Sequence, residues 1–243
     1  HVYGYLIAIK CLTENAGAWD DKQLDAEMGI LRRVSHPHIN NLLAASLNGT
    51  NRCLILEYMN GGALDTRLLS TTCPLIEWQD RALILLHVGR GLVYIHSLDP
   101  PVIHRDVKTG NVLLRYSEGS STGAGAGAGS STGAGSSKLL VAKVSDFGTT
   151  RENTEQKSGV PSTMPCTTRI PTMTHARTMQ VCGTGPYMPP EYVNRGEVSA
   201  RTDAFAFGIM AIELLTGLHP VMVRELVDGN LFEELPKMIQ KLH

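Results

Sequence analysis

The sequence has 243 residues, a formal net charge of −1 and 42% hydrophobic residues. This balance suits one large folded domain or two modest ones, and gives no electrostatic reason to expect nucleic acid or an anionic membrane as partner. Five scattered cysteines (Cys11, Cys53, Cys73, Cys166 and Cys182) lack the paired spacing of a zinc site or a disulfide framework, so reduced thiols and a cytoplasmic setting are expected.

Residues 5–10 form a short apolar run with β-branched Ile7 and Ile9, which predicts a strand. Leu24, Met28 and Leu31 recur at helical spacing and predict a helix over 20–34. A strand is expected at Cys53–Glu57, closed by the turn Asn60-Gly61-Gly62. The next helix is expected at Trp78–His96, with Ala82, Leu85, Leu86, Leu92 and Ile95 as its apolar face and Asp99-Pro100-Pro101 as its stop. That run is interrupted by His87, Arg90 and two glycines, and no apolar stretch reaches bilayer length. The N-terminus also lacks a secretory pattern.

Strands follow at Val102–Ile103, 112–115 and 139–144, with a polar loop at 104–111. A run of Gly, Ala, Ser and Thr at 117–137 joins two of these strands. It lacks apolar bulk to offset ordering entropy and reads as a flexible insertion at a hairpin tip. A Thr-, Ser- and Pro-rich loop is expected at 149–190, then a fully buried helix at 204–215 ended by Gly217, and an amphipathic helix at 226–242. Small strands with one helix precede a mostly helical body, so the order predicts an α+β chain of two lobes with a boundary at 57–64.

Three motifs carry chemistry. The strongest is His104-Arg105-Asp106-Val107-Lys108-Thr109-Gly110-Asn111. Phosphoryl transfer needs a positioned hydroxyl, neutralised phosphate charge and bound magnesium. Asp106 can accept the hydroxyl proton, Lys108 can reach the phosphoryl group, and Asn111 offers Mg²⁺ a neutral oxygen. The second is Val144-Ser145-Asp146-Phe147-Gly148, in which Asp146 completes the magnesium pair, Phe147 packs inward and Gly148 lets the backbone turn. The third is Lys10 on a strand with Glu27 on a helix, an ion pair that would hold Lys10 over the α- and β-phosphates. Glu14 and Asp25 are rival partners, and Glu27 is preferred because it shares a face with Leu24 and Leu31.

With these motifs in order, the chain resembles the eukaryotic protein kinase family over nearly its whole length, most of all the branch of plant receptor-like and interleukin-1-receptor-associated kinases. The likeness extends to Glu57-Tyr58-Met59-Asn60-Gly61-Gly62, to Gly183-Thr184-Gly185-Pro186-Tyr187-Met188-Pro189-Pro190-Glu191, and to Thr202-Asp203-Ala204-Phe205-Ala206-Phe207-Gly208. The resemblance implies a bilobal α+β fold, with a partial small lobe at 1–57 and a larger lobe at 58–243, and ATP in the cleft. It implies that Glu57 and Met59 bind adenine through their backbone, that Ala8 and Leu113 sandwich it, and that Lys10, Asp106 and Lys108 are catalytic. Asn111 and Asp146 would hold Mg²⁺. Thr184 would sit beside Asp106, Asp203 would hold the loop amides or cap its helix, and Leu31, His104 and Phe147 would stack between the lobes.

The implied activity is that of a Ser/Thr protein kinase, with protein substrates and an upstream activating kinase that phosphorylates the 149–190 loop. Its alternative is a pseudokinase scaffold, and a small-molecule phosphotransferase is a third reading. The Gly-x-Gly-x-x-Gly loop and the arginine that would pair with Glu191 are not seen, so a fragment is expected, with Glu191 partly buried and unpaired.

Overall fold

The computed structural model describes residues 6–11, 18–46, 52–70, 72–73, 75–118, 138–152, 176–177 and 181–229. The flexible insertion predicted at 117–137 and most of the 149–190 loop lie outside them.

The N-terminal part is an antiparallel sheet of β1 (Ile7–Cys11), β2 (Leu42–Ser46) and β3 (Cys53–Glu57) in the order β1-β3-β2, with helix α1 (Ala18–Leu31) between the first two strands in sequence. The register pairs Lys10 with Leu54 and Ala8 with Leu56. Leu54 is wholly buried and Leu24, Ile30 and Leu31 of α1 are nearly so, and the sheet and helix share one apolar layer. β2 was not expected from sequence. Its Leu-Leu-Ala-Ala-Ser has neither β-branched residues nor alternation, and pairing with β3 makes it a strand.

The chain leaves β3 through a turn at which Gly62 has φ 69°, a backbone that L side chains avoid. β4 (Gly62–Ala63) follows, then α2 (Leu64–Leu69), α3 (Trp78–His96) and β5 (Val102–Ile103). β6 (Val112–Glu118) and β7 (Lys138–Val144) form a hairpin that β4 extends. Of the long loop, β8 (Arg151–Glu152) pairs with β5, and β9 (Ala176–Arg177) pairs with β10 (Glu197–Val198), which follows α4 (Pro190–Arg195). Helices α5 (Ala200–Thr216) and α6 (Pro220–Asp228) complete the described chain.

Three expectations are corrected here. Helix α3 has the predicted ends and buries Leu92 and Ile95 of the expected strip, but the rest of its buried face is Ile84, His87, Val88 and Gly91. Ala82 is exposed and Leu86 is 48% exposed. Apolar residues ring most of α3, so periodicity does not choose among strips. Close approach chooses: a Cβ on Gly91 would lie 2.9 Å from the His38 carbonyl oxygen. A helix runs over Pro220–Asp228 and so begins ahead of the start expected at 226, because His219 caps it and Pro220 takes the first-turn place where a missing N–H costs nothing. Residues 230–242 lie outside the described ones. The N-cap of α5 is Ser199, in a reciprocal capping box with Thr202, and not Asp203.

Helix α5 is the buried axis of the larger part, as its apolar sequence requires. It ends at Gly217, which takes φ 72°. One continuous core runs from Leu31 of α1 through Phe147 to Ile209, Met210 and Leu214 of α5. No single helix among the described residues is long and apolar enough to cross a membrane.

Candidate active site

The segment between β5 and β6 is held from below by α5. The Asp203 carboxylate is wholly buried and accepts from the backbone N–H groups of His104 and Arg105, each at 2.8 Å. The ring Nε2 of His96 lies 2.8 Å from the same carboxylate. This clamp holds Arg105 at φ 68°, a left-handed conformation that costs a non-glycine residue about 1–3 kcal/mol and persists only where its surroundings enforce it. The His104 ring is buried, lies 3.1 Å from the Ser145 carbonyl and meets Phe147 edge-on at 4.9 Å between centroids. Leu31, His104 and Phe147 thus all belong to the interior, with His104 and Phe147 in contact.

Asp106 stands at the centre of a closed set of bonds. Its Oδ2 accepts from Asn111 Nδ2 at 2.9 Å and lies 2.7 Å from Lys108 Nζ. Its Oδ1 accepts from the Thr184 hydroxyl at 2.8 Å, and Thr184 accepts from Lys108 at 2.7 Å. Thr184 comes from a segment far along the chain, and Gly183 allows the approach. Gly183 has φ 126°, and a Cβ there would lie 2.6 Å from the Arg105 carbonyl oxygen. Asn111 directs its amide nitrogen to Asp106, which leaves its side-chain oxygen as the atom a cation would take.

Lys10 of β1 bridges two carboxylates, Glu27 of α1 at 2.7 Å and Asp146 at 2.8 Å. Of the rivals to Glu27, Asp25 pairs with Arg52, and Glu14 lies outside the described residues. Lys10 and Asp146 are 43% and 42% exposed at their side chains, whereas Glu27 is 2% exposed. Burial alone would depress the Lys10 ammonium, but Glu27 and Asp146 outweigh it and the net shift is upward. Burial pushes Glu27 above the usual carboxylate range against the pull of Lys10. For Asp146 the hydrogen bond and charge of Lys10 overcome burial and hold the carboxyl low. Asp146 also adopts φ 63° at the start of the turn that buries Phe147.

The residues expected around adenine lie where the two parts of the chain meet. Ala8 is on β1 beside Leu56, Glu57 ends β3, Met59 is buried just after it, and Leu113 is on β6 opposite Ala63. Sequence reasoning missed how Glu57 is fixed. Its side chain takes Lys143 of β7 at 2.5 Å, Arg115 of β6, and Asn41 at 3.3 Å. Lys143 is only 4% exposed. A lysine in the otherwise apolar Val141-Ala142-Lys143-Val144 was the available signal, since buried lysines are nearly always paired. Glu191 is half-buried, and its carboxylate makes no hydrogen bond or ion pair among the described residues.

Comparison with known proteins gives the family. The sequence profile of the protein kinase domain matches residues 1–241. Similar proteins from Arabidopsis thaliana include proline-rich receptor-like protein kinase PERK12, 32% identical over 219 residues, which are 90% of this chain and 25% of that protein. PERK15 is 31% identical over 221 residues, 90% of this chain and 36% of that protein, and PERK5 is 30% identical over 231 residues, 95% and 28%. The chain therefore spans about a quarter to a third of the length of these relatives. A kinase profile over nearly all of its residues makes the chain a member of the protein kinase domain family.

Proposed function

We propose that the chain is the catalytic core of a Ser/Thr protein kinase that moves the γ-phosphoryl group of ATP, with Mg²⁺, to a protein hydroxyl. The observation that carries this reading is the Asp106–Lys108–Thr184–Asn111 cluster together with the Lys10 bridge to Glu27 and Asp146. The donor set fits the ion: Asn111 and Asp146 offer oxygens, and magnesium takes one or two carboxylates plus phosphate oxygens and water. When bound, Mg²⁺ neutralises phosphate charge that builds in the transition state.

The chain's own groups do the rest. Asp106 orients the acceptor hydroxyl and takes its proton. Lys108 and Thr184 fix the Asp106 carboxylate, and Lys108 leaves that bond to meet the phosphoryl oxygens. Lys10, held by Glu27, meets the α- and β-phosphates, and the backbone of Glu57 and Met59 meets adenine between Ala8 and Leu113. Lysine two residues after Asp106, with Thr184 against it, supports hydroxyl acceptors of the Ser/Thr kind. Arg105 is the group that would meet a phosphate added by an upstream kinase at Thr172, Thr174 or Thr178, which lie outside the described residues.

The test is transfer of labelled γ-phosphate to a generic basic protein by the wild type and by Asp106→Asn. Loss of a general base costs about 10²–10⁴ in rate. Equal signal from both proteins would end the catalytic reading and leave a pseudokinase scaffold.

A further inference from the structure

β1 and β3 pair antiparallel over their full length, and the register sets Cys11, the last residue of β1, directly opposite Cys53, the first of β3. Both thiols are free. Far apart in sequence, the two cysteines meet only through this pairing. Cys73 and Cys182, the other described cysteines, lie outside the strands.

Alternation along a strand decides which face the pair occupies. Lys10 turns to Glu27 of α1, and its partner Leu54 is wholly buried in the layer between sheet and helix. Their neighbours Cys11 and Cys53 therefore stand on the opposite face, away from α1. That face is open: Ile9, two residues before Cys11, is 57% exposed, Cys11 is exposed and Cys53 is half-buried. A small oxidant and a reducing thiol can reach both sulfurs from one side.

The geometry also suits a bond between them. Directly opposed residues of an antiparallel pair have Cα atoms about 4.5 or 5.5 Å apart, and a disulfide spans about 4.4–6.8 Å. Any small approach that the bond needs falls at strand ends, where Cys11 closes β1 and Cys53 opens β3.

We propose that Cys11 and Cys53 are an oxidation site, at which a hydroperoxide converts two thiols to a reversible disulfide that ties β1 to β3 beside Lys10. The thiolate of the more exposed Cys11 attacks a peroxide oxygen. The O–O bond breaks, hydroxide leaves and takes up the thiol proton as water, and Cys11 becomes a sulfenic acid. The Cys53 thiolate then attacks that sulfur. The S–S bond forms, the S–O bond breaks, and a second water carries off the hydroxyl and the Cys53 proton. The sulfurs lose two electrons and the peroxide gains them, and an external dithiol reverses the bond by exchange. The inference is independent of the kinase reading.

The test is a map of the oxidised thiols. The full chain, reduced and freed of reductant, is treated with hydrogen peroxide and its remaining thiols are alkylated. The monomer band of a non-reducing gel is then digested with trypsin. Cleavage after Lys10, Lys22, Arg52 and Arg67 leaves peptides 11–22 and 53–67, each with a single cysteine. Mass spectrometry is expected to find these two joined as the main oxidised product, in the wild type and in Cys73→Ser, and dithiothreitol should release them. Closing a loop of this length restricts the unfolded chain, so the thermal midpoint of the oxidised wild type should lie roughly 5–10 °C above that of the reduced protein. Cys11→Ser and Cys53→Ser, treated alike, should show neither the joined peptides nor the shift. Peptides that stay separate, that join to another cysteine instead, or that join equally fast in urea would overturn the proposal, as would a midpoint that oxidation does not raise.

Discussion

At the scale of single residues, the site is built from charges whose partners come from distant stretches of chain. Lys10 meets Asp146, 136 residues away, and Glu27 of another element. Both Lys10 and Asp146 are more than a third exposed, so their bond contributes little to stability, and the lysine is better understood as a group that a polyanion can reach. Lys10→Met is expected to leave the thermal midpoint nearly unchanged while lowering kcat/KM for ATP by about 10²–10³, measured by steady-state kinetics. A loss in stability as large as the loss in activity would make Lys10 structural instead. Asp203 is the opposite case. It is wholly buried and satisfies two backbone donors, and each donor orphaned by Asp203→Ala costs about 1–3 kcal/mol, readable by urea unfolding.

At the scale of elements, packing partners decided what periodicity left open. The corrected face of α3 makes a direct prediction: Ile84→Ala, at a wholly buried position, should cost about 2–5 kcal/mol, whereas Leu86→Lys should stay within about 0.5 kcal/mol of wild type. Reversal of that order in denaturant midpoints would restore the strip expected from sequence. The capping box of α5 gives a second case. Ser199→Ala removes the acceptor for the first turn of the helix that carries Asp203, at about 1 kcal/mol. The end of α3 was legible because Asp99-Pro100-Pro101 stops the helix. α2 and α4, each of six residues, were not, since one and a half turns give no periodic signal.

At the scale of the whole molecule, three imidazoles lie at the junction between the two parts of the chain. His38 stacks on His87 at 4.0 Å, His36 stacks on Tyr94 at 4.7 Å, and the Ala142 backbone meets His38 and His87. Arg90 of α3 and Lys143 of β7 face this group, with Glu57 already bound to Lys143. Burial, then neighbouring positive charge, lowers all three histidines, His87 to about 4. A base with a folded pKa below its unfolded one binds fewer protons in the native state, so stability is lost as pH falls below about 6.5. Glu27 and Glu213, raised by burial, act in the other direction and favour the fold at low pH. His87→Gln, which keeps an acceptor for the Ala142 N–H, is expected to lose less thermal stability than wild type on going from pH 7 to pH 5. An identical pH slope in the two proteins would dismiss the cluster as the cause.

The sequence alone determined the family likeness, the order of strands and helices that carry the chemistry, and the preference for Glu27 over Asp25. These features are local: a motif, a run of β-branched residues or a helical spacing acts over a few neighbours. Only the tertiary structure decided which strip of α3 is buried, that Ser199 and not Asp203 caps α5, and that Lys143 and Arg115 lock the side chain of Glu57. Apart from the Ser199 cap, whose partner Thr202 is three residues on, each of these depends on the approach of segments far apart in the chain. Burial and close packing are properties of that approach, and no spacing along the sequence encodes them.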